Sequence, residues 1–282
     1  MSIDQQLAES WLTSLETSAR FDASWVADAV VWLTQGSTMA PPRRVLDVGC
    51  GAGGAACAFA AALGPGAVTA CDRDPRLLAI ARRRATEAGL ADDIRWVAAG
   101  VNALPVEPGS LDLAWASGVI HHLPDQQAAV GTLAGLLRPG GRLVLVEGGL
   151  PLRCLPFDIG LGRVGLEARL DEARSRWFAD MRDELRGPAL PYGWPAALAR
   201  AGLVDVRARS FLVELAAPLD DLGRQVVERH LSSALTELGD RLAPDDRDTV
   251  ARLLDPDDAA YAGRRDDLMV TGVRTLNVGT AA

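Results

Sequence analysis

The sequence of 282 residues contains no lysine, and all 29 of its basic residues are arginine. A Schiff-base mechanism and a lysine general base are therefore excluded. Histidine is scarce too, with only three residues. Because these histidines form no cluster with acids at metal-ligand spacing, we expect no metal site.

Cysteines and long apolar runs are also few. The four cysteines at positions 50, 57, 71 and 154 include no C-x-x-C pair, a pattern typical of reduced, buried thiols in a cytoplasmic protein. No apolar run reaches about 18 residues, so no membrane-spanning helix and no membrane partner are expected. Residues 1–14 lack the basic start of a signal peptide, which predicts a cytoplasmic location.

Basic residues are fewer than acidic ones, 29 against 37, and the formal net charge is -8. Proteins that bind nucleic acid through charge usually present a basic surface, so no nucleic-acid partner is expected. The apolar fraction of 49% and the charged fraction of 23% are ordinary for a globular chain. This length suits one large or two small domains.

Short apolar segments alternate with helical segments through the first half of the chain. The pattern predicts strands over residues 44–49, 67–71, 94–98, 111–116 and 142–147, separated by helices over 55–63, 75–88 and 125–137. Such alternation is typical of right-handed β-α-β units. With later strands over 203–215 and 268–279, the predicted fold class is α/β: a Rossmann-like, seven-stranded, mostly parallel sheet with helices on both faces.

Three regions are predicted along the chain. Residues 1–42 have helical apolar spacing over 3–15 and 21–33 and form an N-terminal lid, although Trp11, Trp25 and Trp32 fit core packing better. Residues 43–148 form the cofactor-binding core. Residues 149–282 add substrate-determining insertion helices, over 166–185 and within 218–254, to the last strands of the sheet.

The sharpest local signal is the segment V-L-D-V-G-C-G-A-G-G at 45–54, where a strand meets a glycine-rich turn. Glycine serves where the backbone needs unusual dihedral angles or a close approach to a ligand. Gly49, Gly51 and Gly54 satisfy the G-x-G-x-x-G fingerprint of dinucleotide sites. Gly49, Gly51 and Gly53 equally satisfy the G-x-G-x-G turn of enzymes that bind S-adenosylmethionine (SAM), so glycine spacing alone leaves both cofactors open.

Two aspartates near this turn carry further information. Asp47 precedes Gly49 by two residues, where a pyrophosphate would bring like charges together, whereas SAM carries an ammonium and a sulfonium. Asp72 ends the second strand, about twenty residues on, where nucleotide folds place the acid that binds ribose hydroxyls. Asp74 precedes Pro75 and is predicted to cap the next helix. The charge of Asp47 therefore favours SAM over NAD.

The stretch from residue 45 to 147 resembles class I SAM-dependent methyltransferases, particularly the small-molecule subgroup similar to ubiquinone and menaquinone biosynthesis methyltransferases. The matching pieces follow the family's order and cover about a third of the chain. After V-L-D-V-G-C-G-A-G and Asp72 they are A-L-P at 103–105, S-L-D-L-A-W-A-S at 110–117, H-H-L-P-D at 121–125 and L-L-R-P-G-G-R-L-V-L-V-E at 136–147.

For the methionine part of SAM, the resemblance implies a floor made by Asp47, Gly49, Gly51 and Gly53. Ser117, just after the fourth strand, would line the methionine end of the cofactor.

For the ribose and adenine, the resemblance implies that Asp72 binds the ribose and Arg73 flanks the adenine. Val101 and Asn102 would lie along the adenine edge. The chain departs from the family at Gly100, where an aspartate is usual, and Asn102 is the candidate to replace it in part.

His121 and His122 are the candidate catalytic residues. Both follow the fourth strand, at the sheet edge where such folds bind ligands. Histidine titrates near neutral pH, so either ring could accept a proton from the methyl acceptor. His122 matches the more usual histidine of the family. His230 lies alone in an amphipathic segment and is expected at the surface.

The arginine-rich segment over 163–186 has two interpretations. Its side chains could pair with a carboxylated substrate, but a solvated helix face paired with neighbouring acids is favoured. Tyr192 and Trp194 could shape an aromatic substrate pocket.

The predicted function is SAM-dependent methylation of a small molecule at oxygen, nitrogen or carbon, in the biosynthesis of a specialised metabolite, with a homodimer as an open expectation. Two alternatives remain. An NAD-dependent oxidoreductase is disfavoured by Asp47. A SAM-binding cyclase or partner subunit without methyl transfer is kept open by Gly100.

Overall fold

A seven-stranded sheet in the order β3-β2-β1-β4-β5-β7-β6 organises the chain. The computed structural model describes residues 13–35 and 41–282. Parallel pairing joins β1 to β2 and β4, β2 to β3, and β4 to β5, which confirms the predicted Rossmann-like, mostly parallel α/β fold. The strands are β1 (Val45–Val48), β2 (Val68–Asp72), β3 (Ile94–Ala98), β4 (Leu111–Ser117), β5 (Leu137–Arg153), β6 (Leu203–Leu215) and β7 (Val270–Ala281).

Helices connect the strands. They are α1 (residues 13–21), α2 (Ala23–Gln35), α3 (Gly54–Leu63), α4 (Pro75–Glu87), α5 (Gln126–Gly135), α6 (Leu166–Glu184), α7 (Trp194–Arg200), α8 (Asp221–Leu238) and α9 (Pro244–Leu254). The start of the predicted helix over 3–15 lies outside the described residues. None of the helices in residues 13–35 and 41–282 combines the length and the apolar character that crossing a membrane requires.

Two predicted boundaries differ from the structure. The fifth strand was expected over 142–147 but extends from Leu137 to Arg153. It starts earlier because Leu137 already pairs with β4, and the residues between Leu137 and Arg142 form a shift in the pairing register. The amphipathic stretch over 218–254 divides into α8 and α9. The break follows from Gly239, which has a positive φ, and from Pro244, which starts a helix more readily than it continues one.

The chain divides into two compact units. The first runs through Gly149 and also contains Gly187–Phe211 and Arg274–Ala282. The second contains Leu150–Arg186 and Leu212–Val273, and therefore includes α6, α8 and α9. The roles assigned to residues 1–42 as a lid, 43–148 as a cofactor-binding core and 149–282 as a substrate-determining region stay predictions.

An aromatic cluster centred on Trp115 of β4 fixes α2 and α3 in the first unit. Trp25 of α2 stacks on Trp115 with ring centroids 6.2 Å apart, and Phe59 of α3 meets the same ring edge-on at 5.6 Å. Trp25 is 4% exposed, so it packs in the core. Trp32 lies under the guanidinium groups of two β6 arginines. Trp11 is outside the described residues.

The second unit overturns the expectation that His230 is exposed. His230 lies in α8 and only 7% of its surface is accessible. The amphipathic pattern alone could not place it, because α8 also packs against α6 and α9 and therefore buries more than one stripe. The arginines of α6 are paired: Arg176 contacts Glu172 of its own helix, while Arg169 reaches Asp246 of α9.

Candidate functional site

A cleft of about 390 Å³ opens in the first unit where β1, β2, β3 and β4 end. Ligands of open parallel sheets bind at this edge, and the volume lies in the range of small-molecule sites. The lining residues come from the segments that follow the four strands. They are Val48, Gly49, Gly51, Asp72, Arg73, Asp74, Leu77, Ala99, Gly100, Val101, Gly118, Val119, His122 and Leu123.

The glycine turn under the cleft has three left-handed residues, Gly49, Gly51 and Gly53, with φ of 63°, 52° and 78°. A Cβ atom on Gly49 would lie 2.5 Å from a methyl carbon of Val119, and one on Gly53 would lie 2.8 Å from a methyl carbon of α4. Gly54 opens α3 without a positive φ, and its Cβ would meet nothing closer than 3.6 Å. The backbone therefore requires the G-x-G-x-G set of glycines.

The Asp72 carboxylate holds this turn at the end of β2. Its Oδ2 accepts the N–H of Gly51 at 3.0 Å, and its Oδ1 accepts the N–H of Asp74 at 2.9 Å. Each carboxylate oxygen can accept more than one hydrogen bond, so the side chain keeps capacity for a ligand in the cleft that it lines. Asp74 caps α4 by accepting the N–H of Arg76, as its position before Pro75 predicts.

Asp47 lies beneath the turn and not in the cleft lining. It is 2% exposed, and its Oδ2 has no hydrogen-bond partner. Burial, reinforced by the neighbouring Asp72 carboxylate and opposed by a hydrogen bond from the backbone of Ala56, raises the pKa of Asp47 to about 7. The carboxyl is therefore close to half protonated at neutral pH, which weakens the full negative charge that the sequence pattern suggested.

Some of the residues predicted to bind the cofactor lie together around the cleft. The predicted residues that line the cleft are Gly49, Gly51, Asp72, Arg73 and Val101.

Four other predicted residues are absent from this lining. Gly53 is buried within the turn and Asp47 below it, Ser117 is half-buried at the end of β4, and Asn102 is exposed on the short helical turn Val101–Ala103. Gly100 lines the cleft, and a Cβ atom built on it meets nothing within 4 Å. The space that the family's aspartate side chain would occupy at position 100 is therefore open.

Glu147 of β5 organises the loop that carries the histidines. One of its oxygens accepts the N–H groups of Val119 and Ile120 at 2.9 and 2.7 Å, and the other lies 2.6 Å from Nδ1 of His121. The Glu147 side chain is 2% exposed. A buried carboxylate that already accepts two N–H donors favours a proton on Nδ1 of His121, and this tautomer leaves the ring's lone pair on Nε2.

The two histidines occupy different positions. His122 lines the cleft, whereas His121 is only partly exposed and is oriented by Glu147. Their ring centroids lie 4.1 Å apart. His122 therefore lies at the cleft wall, and His121 is the ring whose orientation is fixed.

Two site residues were missed by sequence reasoning. Glu147 ends the apolar run L-V-L-V-E, and an acid at the end of a buried strand was the available signal. Arg84 of α4 donates to the carbonyl groups of Ala52 in the glycine turn and Glu16 in α1. No signal distinguished Arg84 from the other arginines of an amphipathic helix.

The left-handed turn predicts unequal effects for two glycine substitutions. Gly51→Ala should lower the free energy of unfolding by about 1–2 kcal/mol, because an L-residue is strained at that φ. Gly54→Ala is the matched control and should be neutral or slightly stabilising, since alanine favours a helix. Urea unfolding of both variants measures the difference. Equal losses would contradict the left-handed conformation assigned to Gly51.

The buried carboxyl of Asp47 predicts a pH effect on stability. Its folded pKa of about 7 exceeds the ordinary value of 3.8, so between those values the folded chain holds a proton that the unfolded chain has lost. The free energy of unfolding should therefore fall as pH rises through this interval. Asp47→Asn should remove that part of the decline in urea titrations at successive pH values. An identical decline in both proteins would contradict the assignment.

Comparison with known proteins adds a family assignment for part of the chain. The family model described as a methyltransferase domain matches residues 45–141. A ubiquinone biosynthesis O-methyltransferase of Xanthomonas euvesicatoria is 41% identical over 124 residues, 44% of this chain and 49% of that protein. A demethylmenaquinone methyltransferase of Thermus thermophilus is 36% identical over 106 residues, 38% of this chain and 47% of that protein.

The chain thus spans about half the length of these curated relatives. Among solved structures, a phosphoethanolamine N-methyltransferase of Haemonchus contortus superposes with a TM-score of 0.50 at 16% identity, covering 90% of this chain and 52% of that one, which bears on the fold alone. The matched segment contains the glycine turn, Asp72 and both histidines. Residues 45–141 are therefore a methyltransferase domain, and its motifs are those of class I methyltransferases similar to the quinone-biosynthesis enzymes.

Proposed function

We propose that this chain is a SAM-dependent methyltransferase that acts on a small molecule, at oxygen, nitrogen or carbon, in the biosynthesis of a specialised metabolite. One observation carries the proposal: the cleft at the ends of β1 to β4 places a left-handed glycine turn beside the Asp72 carboxylate. The methyltransferase-domain match over the same residues supports it.

The residues around the cleft suit the chemistry of SAM. Gly51 has open space on its side-chain face, so a ligand can approach the backbone closely. Asp72 can accept hydrogen bonds from ribose hydroxyls, and Leu77 and Val101 offer apolar surface to a purine. Asp72 puts a carboxylate and Arg73 a guanidinium on the cleft wall, whereas the Asp74 carboxylate is paired with Arg76. The Asp72 carboxylate suits the cationic groups of SAM better than the pyrophosphate of a dinucleotide.

The histidine loop supplies the proton chemistry. When bound, SAM provides an activated methyl group, so the chain's task is to align the acceptor and to take up the proton of an acceptor O–H or N–H. His122 faces the cleft and could accept that proton directly. His121 is held by Glu147 with its proton on Nδ1, and the carboxylate would stabilise the imidazolium formed when Nε2 is protonated.

The same proposal includes the setting in which the chain works. We infer a cytoplasmic enzyme that has no nucleic-acid partner, and the net charge of -8 supports the second part of this inference. A homodimer is part of the proposal, and sedimentation of the purified chain would test it.

A ligand-binding measurement tests the cofactor. SAM and S-adenosylhomocysteine should each raise the melting temperature, since a ligand at 100 times its dissociation constant adds about 2.7 kcal/mol, and NADH should not. The Gly51→Ala and Gly54→Ala pair serves as control, with affinity reduced in the first variant only. Stabilisation by NADH alone would indicate an oxidoreductase instead.

The acceptor is tested by screening phenols, amines and activated carbon acids for release of S-adenosylhomocysteine. Tight SAM binding without turnover of any acceptor would favour the non-methylating alternative that the open space at Gly100 permits.

Variants of the histidine loop test the proton acceptor. With a hydroxyl acceptor, loss of the base should reduce kcat about 10²–10⁴-fold, so His122→Asn and His121→Asn identify which ring acts. Glu147→Gln should cause a smaller loss and shift the pH profile of kcat, because Glu147 positions His121 without touching the acceptor. SAM affinity measured on the same variants separates a loss of proton transfer from a loss of cofactor binding. Full activity in both histidine variants would eliminate histidine as the base.

A further inference from the structure

A second cluster of metal-ligating side chains lies in the second unit and is not used by the proposed methyl transfer. Cys154 follows β5 directly, Glu167 is in the first turn of α6, and His230 is in the middle of α8. One donor atom from each residue lies within 4.8 Å of the others. These residues are far apart in sequence, which is why no ligand spacing was visible there.

All three side chains are buried, with exposed fractions of 1% for Cys154 and 7% for both Glu167 and His230. Nε2 of His230 lies 3.8 Å from Oε1 of Glu167 in this interior cluster. A neutral imidazole has a nitrogen lone pair to offer. Buried polar groups ordinarily have partners, so an interior cluster of this composition requires an explanation.

Glu167 supplies the observation that points to a ligand. Its Oε1 accepts the N–H groups of Cys154 and Leu155 at 2.6 and 3.0 Å, which fixes the orientation of the carboxylate. Its Oε2 is buried without a hydrogen-bond partner and lies 3.6 Å from Nε of Arg153. An oriented interior carboxylate whose second oxygen makes no hydrogen bond is suited to binding a cation.

We propose that Cys154, Glu167 and His230 bind one divalent metal ion of the zinc class. Sulfur, nitrogen and oxygen donors together are typical of zinc, which binds them at about 2.0–2.3 Å in tetrahedral geometry. Such bond lengths separate neighbouring ligand atoms by roughly 3.5 Å, and Nε2 of His230 already lies 3.8 Å from Oε1 of Glu167. Small side-chain rotations would therefore close the site, leaving a fourth position for water.

The charges of the site balance on metal binding. The Cys154 thiol loses its proton to solvent as the sulfur–metal bond forms, so a divalent ion with one thiolate, one carboxylate and a neutral imidazole has no net charge. The surrounding arginines are partly compensated as well, because Arg153 and Arg174 both pair with the Asp171 carboxylate. The ion would join the end of β5 to α6 and α8, and its binding would stabilise the second unit.

Metal content and cobalt spectroscopy test the site. The purified full chain, incubated with Zn²⁺ and freed of excess by gel filtration, should retain about one equivalent by elemental analysis. Co²⁺ in place of zinc should give a thiolate-to-metal charge-transfer band. Cys154→Ser should abolish that band, and His230→Gln should weaken metal retention at least tenfold. Cys57→Ser is the matched control, since Cys57 is a buried thiol outside the cluster, and it should keep both signals.

The wild-type chain alone decides the outcome if a variant fails to fold. Retention of zinc, the cobalt band and a melting temperature that falls with a chelator would together support the site. A folded wild-type chain that retains no zinc and gives no cobalt band would overturn it. Both readouts are independent of SAM binding, so failure here leaves the proposed methyl transfer unaffected.

Discussion

The hydrogen bonds from Gly51 and Asp74 to the Asp72 carboxylate are the constraint on which the site depends. They tie the turn after β1 to the turn after β2, and parallel pairing of the two strands brings those turns to one edge of the sheet. Three residues of the glycine turn have positive φ, a conformation that glycine adopts without the steric cost that other residues incur. A floor for the ligand is thus formed before any ligand arrives, which reduces the ordering that binding requires.

A second buried acid, Glu147 of β5, holds the turn after β4 in a similar way. Glu147 binds the backbone of Val119 and Ile120 and the ring of His121, so the turn after β4 is held from β5 as the glycine turn is held from β2. The two turns also touch, because Val119 packs where any side chain on residue 49 would lie. The glycine turn and the histidine loop are therefore in van der Waals contact, so a displacement of one would displace the other.

The sequence predicted the features that depend on local pattern: the alternation of strands and helices, the glycine turn, the capping role of Asp74 and the cleft positions of Asp72 and His122. It could not predict contacts that the sheet creates between distant segments. Glu147 meets His121 only because β4 and β5 pair in parallel. His230 looked exposed because periodicity describes one helix, whereas burial depends on the helices packed around it. The cluster of Cys154, Glu167 and His230 was invisible for the same reason.

Asp47 and Asp72 create an electrostatic conflict across the glycine turn that a ligand's charge would resolve. Burial is the main cause that raises the pKa of Asp47 to about 7, and repulsion from the neighbouring Asp72 carboxylate adds to it. A cation in the cleft would favour the ionised form of Asp47 and release its proton, whereas an anion would favour the protonated form. Binding of a cation in the cleft would therefore be linked to proton release from Asp47 and would strengthen as pH rises through neutrality, and the same linkage would oppose the pyrophosphate of a dinucleotide. Asp47 would then influence ligand choice from below the cleft, without touching the ligand.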